Sequence, residues 1–307
     1  MCAVRKYLHK GEHQLLIRNF VFNSQILSAS IDLMKKLFLL LAASLIFLPQ
    51  SFATIGAVST ATGGTGRGAI EPVDGILLNP ATISDMPTKN FTFNYSPDQW
   101  ALTVSDNGKD SYLPAAIKFV KGHNTIIDTQ QLGLSFASRR WKKIAIGATG
   151  SMVEYTNYFS NAIEQKYRQS SLDLALTYAA ATNFGIGFVA NKVSSTPIKL
   201  DESLQVQRTM AIGFSYTYQN FSRFRFDLET GPDNKTDNLV YMLGLENYIN
   251  DWVVFRLGYQ TNKVLAKDFI TAGVGFSGPQ FGLHYAYISN TADKSEDKHL
   301  IDLGIPF

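Results

Sequence analysis

Apolar and polar residues alternate with a period of two along most of the chain from Phe91 onward. Within 210–218, large apolar side chains fill the even positions, whereas Ala, Gly, Ser and Thr fill the odd ones. Successive side chains of a strand point to opposite faces, so each such segment predicts a strand with one apolar face and one small or polar face.

We expect fourteen strands, with twelve as the alternative count. They are predicted at 91–96, 100–105, 112–121, 130–139, 143–157, 167–180, 184–193, 205–219, 223–230, 238–248, 252–262, 269–277, 281–290 and 299–307. The count depends on the first two segments, because 91–105 is either one long strand or two short strands separated at 97–99. Two strands give an even total, which places both ends of a barrel on the same side.

The composition of the two faces indicates where each one points. The small and polar face suits a confined lumen, whereas the apolar face carries aromatic residues towards the strand ends, such as Tyr216, Tyr285 and Trp252. Aromatic girdles and an apolar exterior are typical of outer-membrane barrels, and aromatic residues make up 12% of this chain. We therefore predict an all-β, transmembrane antiparallel β-barrel over 91–307, and a soluble all-β domain is the alternative.

The predicted connections differ in length from one side to the other. Short ones are expected at 106–108, 181–183, 220–222, 249–251 and 278–280, and longer polar ones at 158–166, 194–204, 231–237, 263–268 and 291–298. Short periplasmic turns that alternate with longer external loops are the outer-membrane arrangement. The last strand ends in Phe307, and a terminal aromatic residue on an alternating strand is similar to the signal that the outer-membrane assembly machinery recognises.

The first 53 residues read as a leader. The apolar run 37–48 follows two lysines and precedes Ser-Phe-Ala at 51–53, which predicts a signal peptide over 34–53. An uncleaved anchor is the alternative, and residues 1–33 read as a spurious or extended leader. Beyond 53 the basic and acidic residues nearly balance, so charge gives no indication of nucleic acid. The leader and the strand pattern together predict that the protein lies in the outer membrane of a Gram-negative bacterium, in contact with membrane lipid.

The segment 54–90 is predicted to be a small plug. Its glycines Gly63, Gly64 and Gly66 lack the Lys-Ser/Thr of a phosphate-binding loop, and they allow close backbone packing inside a lumen. A flexible tail is the alternative. Further along, the segment contains Asp74 and then Asn79, Pro80 and Ala81.

This glycine-rich segment, acidic residue and Asn-Pro-Ala stretch resemble the start of the FadL-type long-chain fatty-acid transporters and related outer-membrane barrels. The resemblance implies a fourteen-stranded barrel plugged by its N-terminal segment, and passage of hydrophobic compounds such as fatty acids. Asp74 and Asn79 are expected to hold the plug by hydrogen bonds to the lumen wall. The competing hypothesis is a non-transporting scaffold barrel that docks a partner of an envelope or secretion complex.

Charged and polar side chains on the predicted lumen face form the remaining candidate site. They are Asp173, Arg223, Arg225, Asp227, Glu229, Glu246, Arg256 and His284. Inside a barrel such groups can pair across strands or form a polar lining that selects solutes. The His residues are scattered, and His284 has no nearby Ser on its face, so we expect no catalytic activity, no metal site and no cofactor.

Overall fold

Fourteen antiparallel strands, each hydrogen-bonded to its neighbours in chain order, close into a barrel in the computed structural model. The structure describes residues 56–307 except 124–126, 140, 158–164, 231–238 and 264. The predicted signal peptide and the segment before it lie outside the described residues. The strands are β1 (Asn90–Ser96), β2 (Gln99–Asp106), β3 (Ala115–His123), β4 (Ile127–Ala137), β5 (Ile144–Asn157), β6 (Gln165–Ala181), β7 (Phe184–Ser195), β8 (Thr209–Tyr218), β9 (Ser222–Thr230), β10 (Leu239–Tyr248), β11 (Val253–Asn262), β12 (Lys267–Ser277), β13 (Gly282–Asn290) and β14 (Lys298–Pro306).

The predicted count of fourteen is confirmed, and the chain reverses at 97–98 to give two short strands. Ser96 pairs with Gln99 across this turn. The barrel closes where β1 pairs with β14, from Asn90 opposite Pro306 to Tyr95 opposite Ile301. Because the count is even, β1 begins and β14 ends on the same rim, which we call the terminal rim. The other end is the opposite rim.

The connection between β2 and β3 is longer than predicted. The link between β2 and β3 covers 107–114 on the terminal rim, whereas a short turn at 106–108 was expected. The Asn107 side-chain amide donates to the carbonyl of Met86 at 2.9 Å, and Arg139 Nη2 donates to the carbonyls of Gly108 and Ser111. The longer connection is therefore held by the segment before β1 and by the neighbouring 138–143 connection.

The apolar face of each strand points outward. In β9, for example, Phe224 is 50% exposed whereas Arg225 is 2% exposed, and the same alternation recurs in β10 and β13. A soluble β-sandwich has the reverse arrangement, since its apolar faces form the core. The small and charged residues fill the interior instead.

Residues 56–89, which we call the plug, lie inside the barrel. They contain helix α1 (Ala57–Ala61), helix α2 (Gly75–Leu78) and a 3-10 helix (Pro80–Asp85). Asn79 begins the 3-10 helix, since its side-chain oxygen accepts the N–H of Ala81 at 3.0 Å, and Pro80 suits the first helical position because it has no N–H to satisfy. No helix among the described residues is long and apolar enough to cross a membrane.

Candidate functional site

Two buried carboxylates hold the start of helix α1. Asp302 Oδ2, on β14, accepts the N–H groups of Ala57 and Val58 at 2.6 and 3.3 Å. Asp74 Oδ2, within the plug, accepts the N–H and the hydroxyl of Ser59, both at 2.7 Å. The first N–H groups of a helix have no partner within the helix, so carboxylates at this position satisfy them. Burial raises the pKa of Asp74, and the hydrogen bonds from Ser59 oppose this effect.

The glycine cluster turns the plug chain sharply against the wall. Gly63, Gly64 and Gly66 all have positive φ angles, of 72°, 87° and 142°, a region that other residues rarely adopt. This path lets Gly63 N donate to Thr271 Oγ1 at 3.0 Å. It also lets the N–H groups of Gly66 and Arg67 donate to Asp227 Oδ2, both at 3.0 Å.

Glycines of the wall face this cluster, and they form two cross-strand pairs. Gly187 of β7 pairs with Gly213 of β8, and Gly244 of β10 pairs with Gly258 of β11. A Cβ added at Gly187 would overlap the carbonyl of Arg67, and one at Gly258 would overlap the plug backbone at Gly63. The plug backbone therefore packs directly on the strand backbones. We call these four residues the glycine pairs.

Arg67 makes the first ion-pair cluster between plug and wall. It is buried, with Nη1 at 3.2 Å from Asp227 Oδ2 and Nη2 bonded to Glu229 Oε2. Asn79 Nδ2 donates to the carbonyl of Arg67 at 2.7 Å, and the N–H of Arg67 donates to Asp227. Both backbone polar groups of Arg67 are therefore hydrogen-bonded. One buried arginine thus compensates two buried carboxylates.

A second cluster centres on Glu71 and Glu246. Glu71 Oε1 accepts from Arg223 Nη1 at 2.5 Å and also bonds Arg225. Glu246 pairs with Arg225, and its Oε2 accepts from Arg256 Nε at 2.9 Å. The chain of contacts ends at His284, whose Nδ1 lies 3.2 Å from Arg256 Nη1. Pairing of this kind offsets part of the cost of burying charge.

Most of the predicted lumen residues belong to these two clusters, and Asp173 does not. Its Oδ1 accepts the N–H of Lys192 at 2.7 Å, on the wall between β6 and β7. Asp74 and Asn79 bond within the plug, through Ser59, Arg67 and Ala81, whereas hydrogen bonds to the wall were expected. Phe307 follows the last strand, is exposed, and donates its N–H to the carbonyl of Lys89 at 3.0 Å.

The sequence-based prediction of the site missed Arg67, Glu71, Asp302 and the wall glycines. Arg67, Glu71 and Asp74 are the only charged residues in 54–84, and a charge inside a buried segment needs a partner. That signal was present in the sequence. The glycines were recognised only as small lumen residues, because the alternation along a strand does not show which of them a distant segment will approach.

The opposite rim carries an apolar cluster inside the barrel. Ile127, Val153, Tyr155 and Leu200 are buried together, and Tyr167, Ile198, Leu204 and Val206 pack against them. Several of these residues come from the 196–208 connection, which folds onto the wall. Tyr155 Oη accepts the N–H of Val206 at 3.0 Å, and Lys192 Nζ donates to the Val206 carbonyl at 2.7 Å.

A cavity separates the plug from the wall at the terminal rim. Its volume is about 160 Å³, and it lies between Gly68–Ile70 of the plug and the ends of β6, β7 and β8 nearest this rim. Thr177, Ser215 and Thr217 contribute polar lining, and Ile70 is only partly covered. The plug is therefore less closely packed here than at the glycine pairs.

The histidines do not form a catalytic arrangement in the described part of the chain. His123 Nδ1 contacts Asp128 at 2.5 Å, His284 contacts Arg256, and His299 Nδ1 contacts Tyr285 Oη at 2.6 Å. A hydrolase triad requires a histidine within hydrogen-bond reach of its nucleophile. Across the described ranges, no group of three or more His, Cys, Asp or Glu side chains is arranged to hold a metal ion.

The fold and the plug define a class: closed antiparallel barrels of fourteen strands with an apolar exterior and a charged, plugged interior. Solved structures of membrane transporters resemble the chain over most of its length. The Ralstonia pickettii toluene transporter TbuX is 13% identical, with a TM-score of 0.61, over 83% of this chain and 99% of that one. The P. putida toluene transporter TodX gives the same identity, score and coverage.

A Pseudomonas aeruginosa FadL homologue is 10% identical, with a TM-score of 0.58, over 83% of this chain and 98% of that one. These likenesses confirm the fold expected from the resemblance to FadL-type transporters. The sequence itself matches no protein-family model and no curated protein.

Proposed function

We propose that this chain is an outer-membrane barrel that passes hydrophobic small molecules, fatty acids among them, across that membrane. The observation that carries the proposal is the arrangement inside the lumen. An apolar cluster occupies the opposite rim, and a plug held by ion pairs closes the half nearer the terminal rim. An enclosed apolar site with few polar groups is the usual form of a small-molecule site.

The exterior supports the membrane location. Apolar side chains along the outward faces are exposed, and aromatic residues such as Trp252, Tyr218 and Phe281 lie at strand ends on the terminal rim. Exposure of so much apolar surface to water would favour aggregation, whereas a lipid environment accepts it. The terminal rim faces the periplasm in this proposal, because its turns from β6 onward, at 182–183, 219–221, 249–252 and 278–281, are short, as periplasmic turns are.

Passage would begin at the apolar cluster of the opposite rim. A hydrophobic solute leaves water there and contacts Tyr155, Leu200 and their neighbours. Further descent requires displacement of the plug, because its backbone packs on the glycine pairs. A cavity lies between Gly68–Ile70 of the plug and the wall, so we propose that release occurs on that side.

The structural neighbours favour a hydrophobic solute. TbuX and TodX are toluene transporters. Fatty acids and monoaromatic compounds are both candidate solutes here, and both fit an apolar capture site better than a polar one. Catalysis forms no part of the proposal.

Uptake by cells tests the proposal directly. A strain that lacks the gene is compared with strains that express the wild type, Leu200→Asp or the control Lys199→Asp, using labelled long-chain fatty acid and labelled toluene. Leu200 is buried in the apolar cluster and Lys199 is exposed beside it. We expect the deletion and Leu200→Asp to lower uptake of at least one compound. Unchanged uptake of both compounds in the deletion strain would refute transport.

A further inference from the structure

Basic residues on the terminal rim are confined to one sector. Two neighbouring connections, 107–114 and 138–143, contain Lys109, Arg139, Arg140, Lys142 and Lys143. The remaining connections of this rim, at 182–183, 219–221, 249–252 and 278–281, contain no Lys or Arg. A chain with nearly balanced charge beyond residue 53 thus has one strongly basic patch beside β2 to β5.

Hydrogen bonds fix the backbone and several side chains of this sector. Arg139 Nη2 joins the two connections, because it donates to the carbonyls of Gly108 and Ser111, both at 2.9 Å. Trp141 and Ile144 exchange backbone hydrogen bonds of 2.8 and 3.0 Å around a tight turn. Lys143 Nζ donates to the carbonyl of Ala180 at 2.7 Å. The positive charges are therefore presented by an ordered turn.

Trp141 places this turn at the edge of the lipid-facing surface. Its side chain is 70% exposed, and the outward residues that follow and precede it, Ile146 and Phe136, are exposed as well. Lys142 Nζ lies 5.0 Å from the centre of the Trp141 ring, a cation–π distance. An exposed tryptophan beside lysines at a strand end is typical of the membrane–water interface.

Two basic residues of this sector, Arg139 and Lys142, are not compensated by the nearby acidic groups that the structure describes. Asp106 and Asp110 lie 3.3 and 3.8 Å from Lys89. Within the described part of the chain, Arg139 and Lys142 form no ion pair. Arg side chains bind phosphate through their planar fork of N–H groups, and Lys side chains bind it as point charges.

We propose that Lys109, Arg139, Trp141, Lys142 and Lys143, the basic sector, bind the phosphate headgroup of an anionic phospholipid in the leaflet that meets the terminal rim. The lipid-facing position of Trp141 favours a lipid over an acidic soluble protein, since a headgroup would contact the ring and the lysines together. The inference rests on the membrane location proposed above, and it does not depend on transport.

Native mass spectrometry of the purified barrel in detergent tests this site. Phosphatidylglycerol and phosphatidylcholine are each titrated into the wild type, the double variant Lys142→Gln/Lys143→Gln, and the control Lys263→Gln. Lys263 is a matched control, because it lies over an aromatic ring, Tyr241, at 5.5 Å but on the opposite rim. Two lysines near an anionic surface should change binding by on the order of tenfold.

We expect the wild type and Lys263→Gln to prefer phosphatidylglycerol, and the double variant to bind it about tenfold more weakly. Salt should reduce the preference, because these charges are exposed. Equal binding of the two lipids by the wild type would overturn the proposal, as would an undiminished preference in the double variant.

Uptake measured on the same variants separates this inference from the transport proposal. The double variant is expected to keep the uptake of the wild type, since its changes lie outside the lumen. If the wild type prefers phosphatidylglycerol but takes up neither labelled compound, the transport proposal is refuted and the lipid site is not. If the wild type takes up a labelled compound but binds the two lipids equally, lipid binding by the basic sector is refuted and transport is not.

Discussion

At the scale of residues, the attachment of the plug depends on buried charges that compensate one another. Arg67 lies between Asp227 and Glu229, and all three side chains are buried. Removal of one partner from a buried ion pair leaves an uncompensated charge and costs about 3–5 kcal/mol. The same removal at an exposed pair costs far less.

Arg67→Ala is therefore expected to detach the plug while the barrel remains folded. Asp227 would retain only the N–H groups of Gly66 and Arg67, and Glu229 would lose its partner. Limited proteolysis in detergent, read by mass spectrometry, should show cleavage within 56–89 in this variant. Arg168→Ala is the control, because Arg168 forms an exposed pair with Glu154 at 2.7 Å. Equal protection of the plug in wild type and Arg67→Ala would contradict the role of this pair.

Asp74 should make plug attachment sensitive to pH. Its pKa is raised in the folded protein by burial, so the folded state favours the protonated form. The stabilisation from that proton is complete below the ordinary pKa of an aspartate, about 3.9, and is lost as the pH rises through the folded pKa. Acidification should thus increase protection of the plug against hydrogen exchange.

Asp74→Asn should weaken this pH dependence and preserve protection at neutral pH. The amide oxygen can still accept hydrogen bonds from Ser59, whereas Asp74→Ala removes the acceptor and should lower protection at every pH. A pH profile of Asp74→Asn identical to that of the wild type would show that other groups determine the response.

The sequence predicts which charged residues of the strands face the lumen, but it does not predict their partners in the plug. Strand alternation identified Arg225, Asp227 and Glu246 as inward-facing, because the face of a strand is a local property. Their partners Arg67 and Glu71 belong to a segment without periodicity, and these pairs join residues more than 150 positions apart. Local patterns carry no information about such pairs.

At the scale of elements, the strands and the plug are matched by shape as well as charge. The glycine pairs remove side chains where the plug backbone approaches β7, β8, β10 and β11. Interiors are close-packed, so one added methyl group at such a contact forces displacement.

Gly258→Ala is expected to displace the plug near Gly63 and to lower its attachment by about 1–3 kcal/mol. Gly150→Ala is the matched control on β5, because an added Cβ meets no atom within 4 Å there. Single-channel recordings in planar bilayers should show more frequent openings in Gly258→Ala than in Gly150→Ala. Equal opening frequencies in the wild type and both variants would contradict close packing of the plug on Gly258.

The 196–208 connection is the other element that packs against the inner wall of the barrel. Leu200 is buried against Tyr155, and Lys199 beside it is exposed. Leu200→Asp places an unpaired charge in an apolar cluster, which favours release of the connection from the wall. We expect faster proteolysis within 196–208 in Leu200→Asp than in Lys199→Asp. Equal rates would show that the cluster does not hold this connection.

At the scale of the whole molecule, strand order and count were predictable from the sequence, whereas the fit of the plug was not. Alternation repeats in every strand and so gives the face and the approximate bounds, whereas the count of fourteen was preferred because an even number places both ends on one side. The longer 107–114 connection was not predicted, because its contacts with Met86 and Arg139 come from distant parts of the chain. The β1–β14 seam is closed by backbone pairing from Asn90 opposite Pro306 to Tyr95 opposite Ile301, and Lys298 forms an ion pair with Asp98 across it.

Because the strands themselves make the β1–β14 pairing, a chain without residues 56–89 is expected to fold into an open barrel. Its lumen would retain Arg225, Glu246 and Arg256, which can still pair with one another, and water would replace the plug. Heat-modified migration in gel electrophoresis checks that this variant folds, and planar-bilayer conductance checks that it conducts. A folded deletion variant with negligible conductance would favour a closed scaffold barrel over a transporter. A large, steady conductance that the intact chain lacks would show that the plug is what closes the pore.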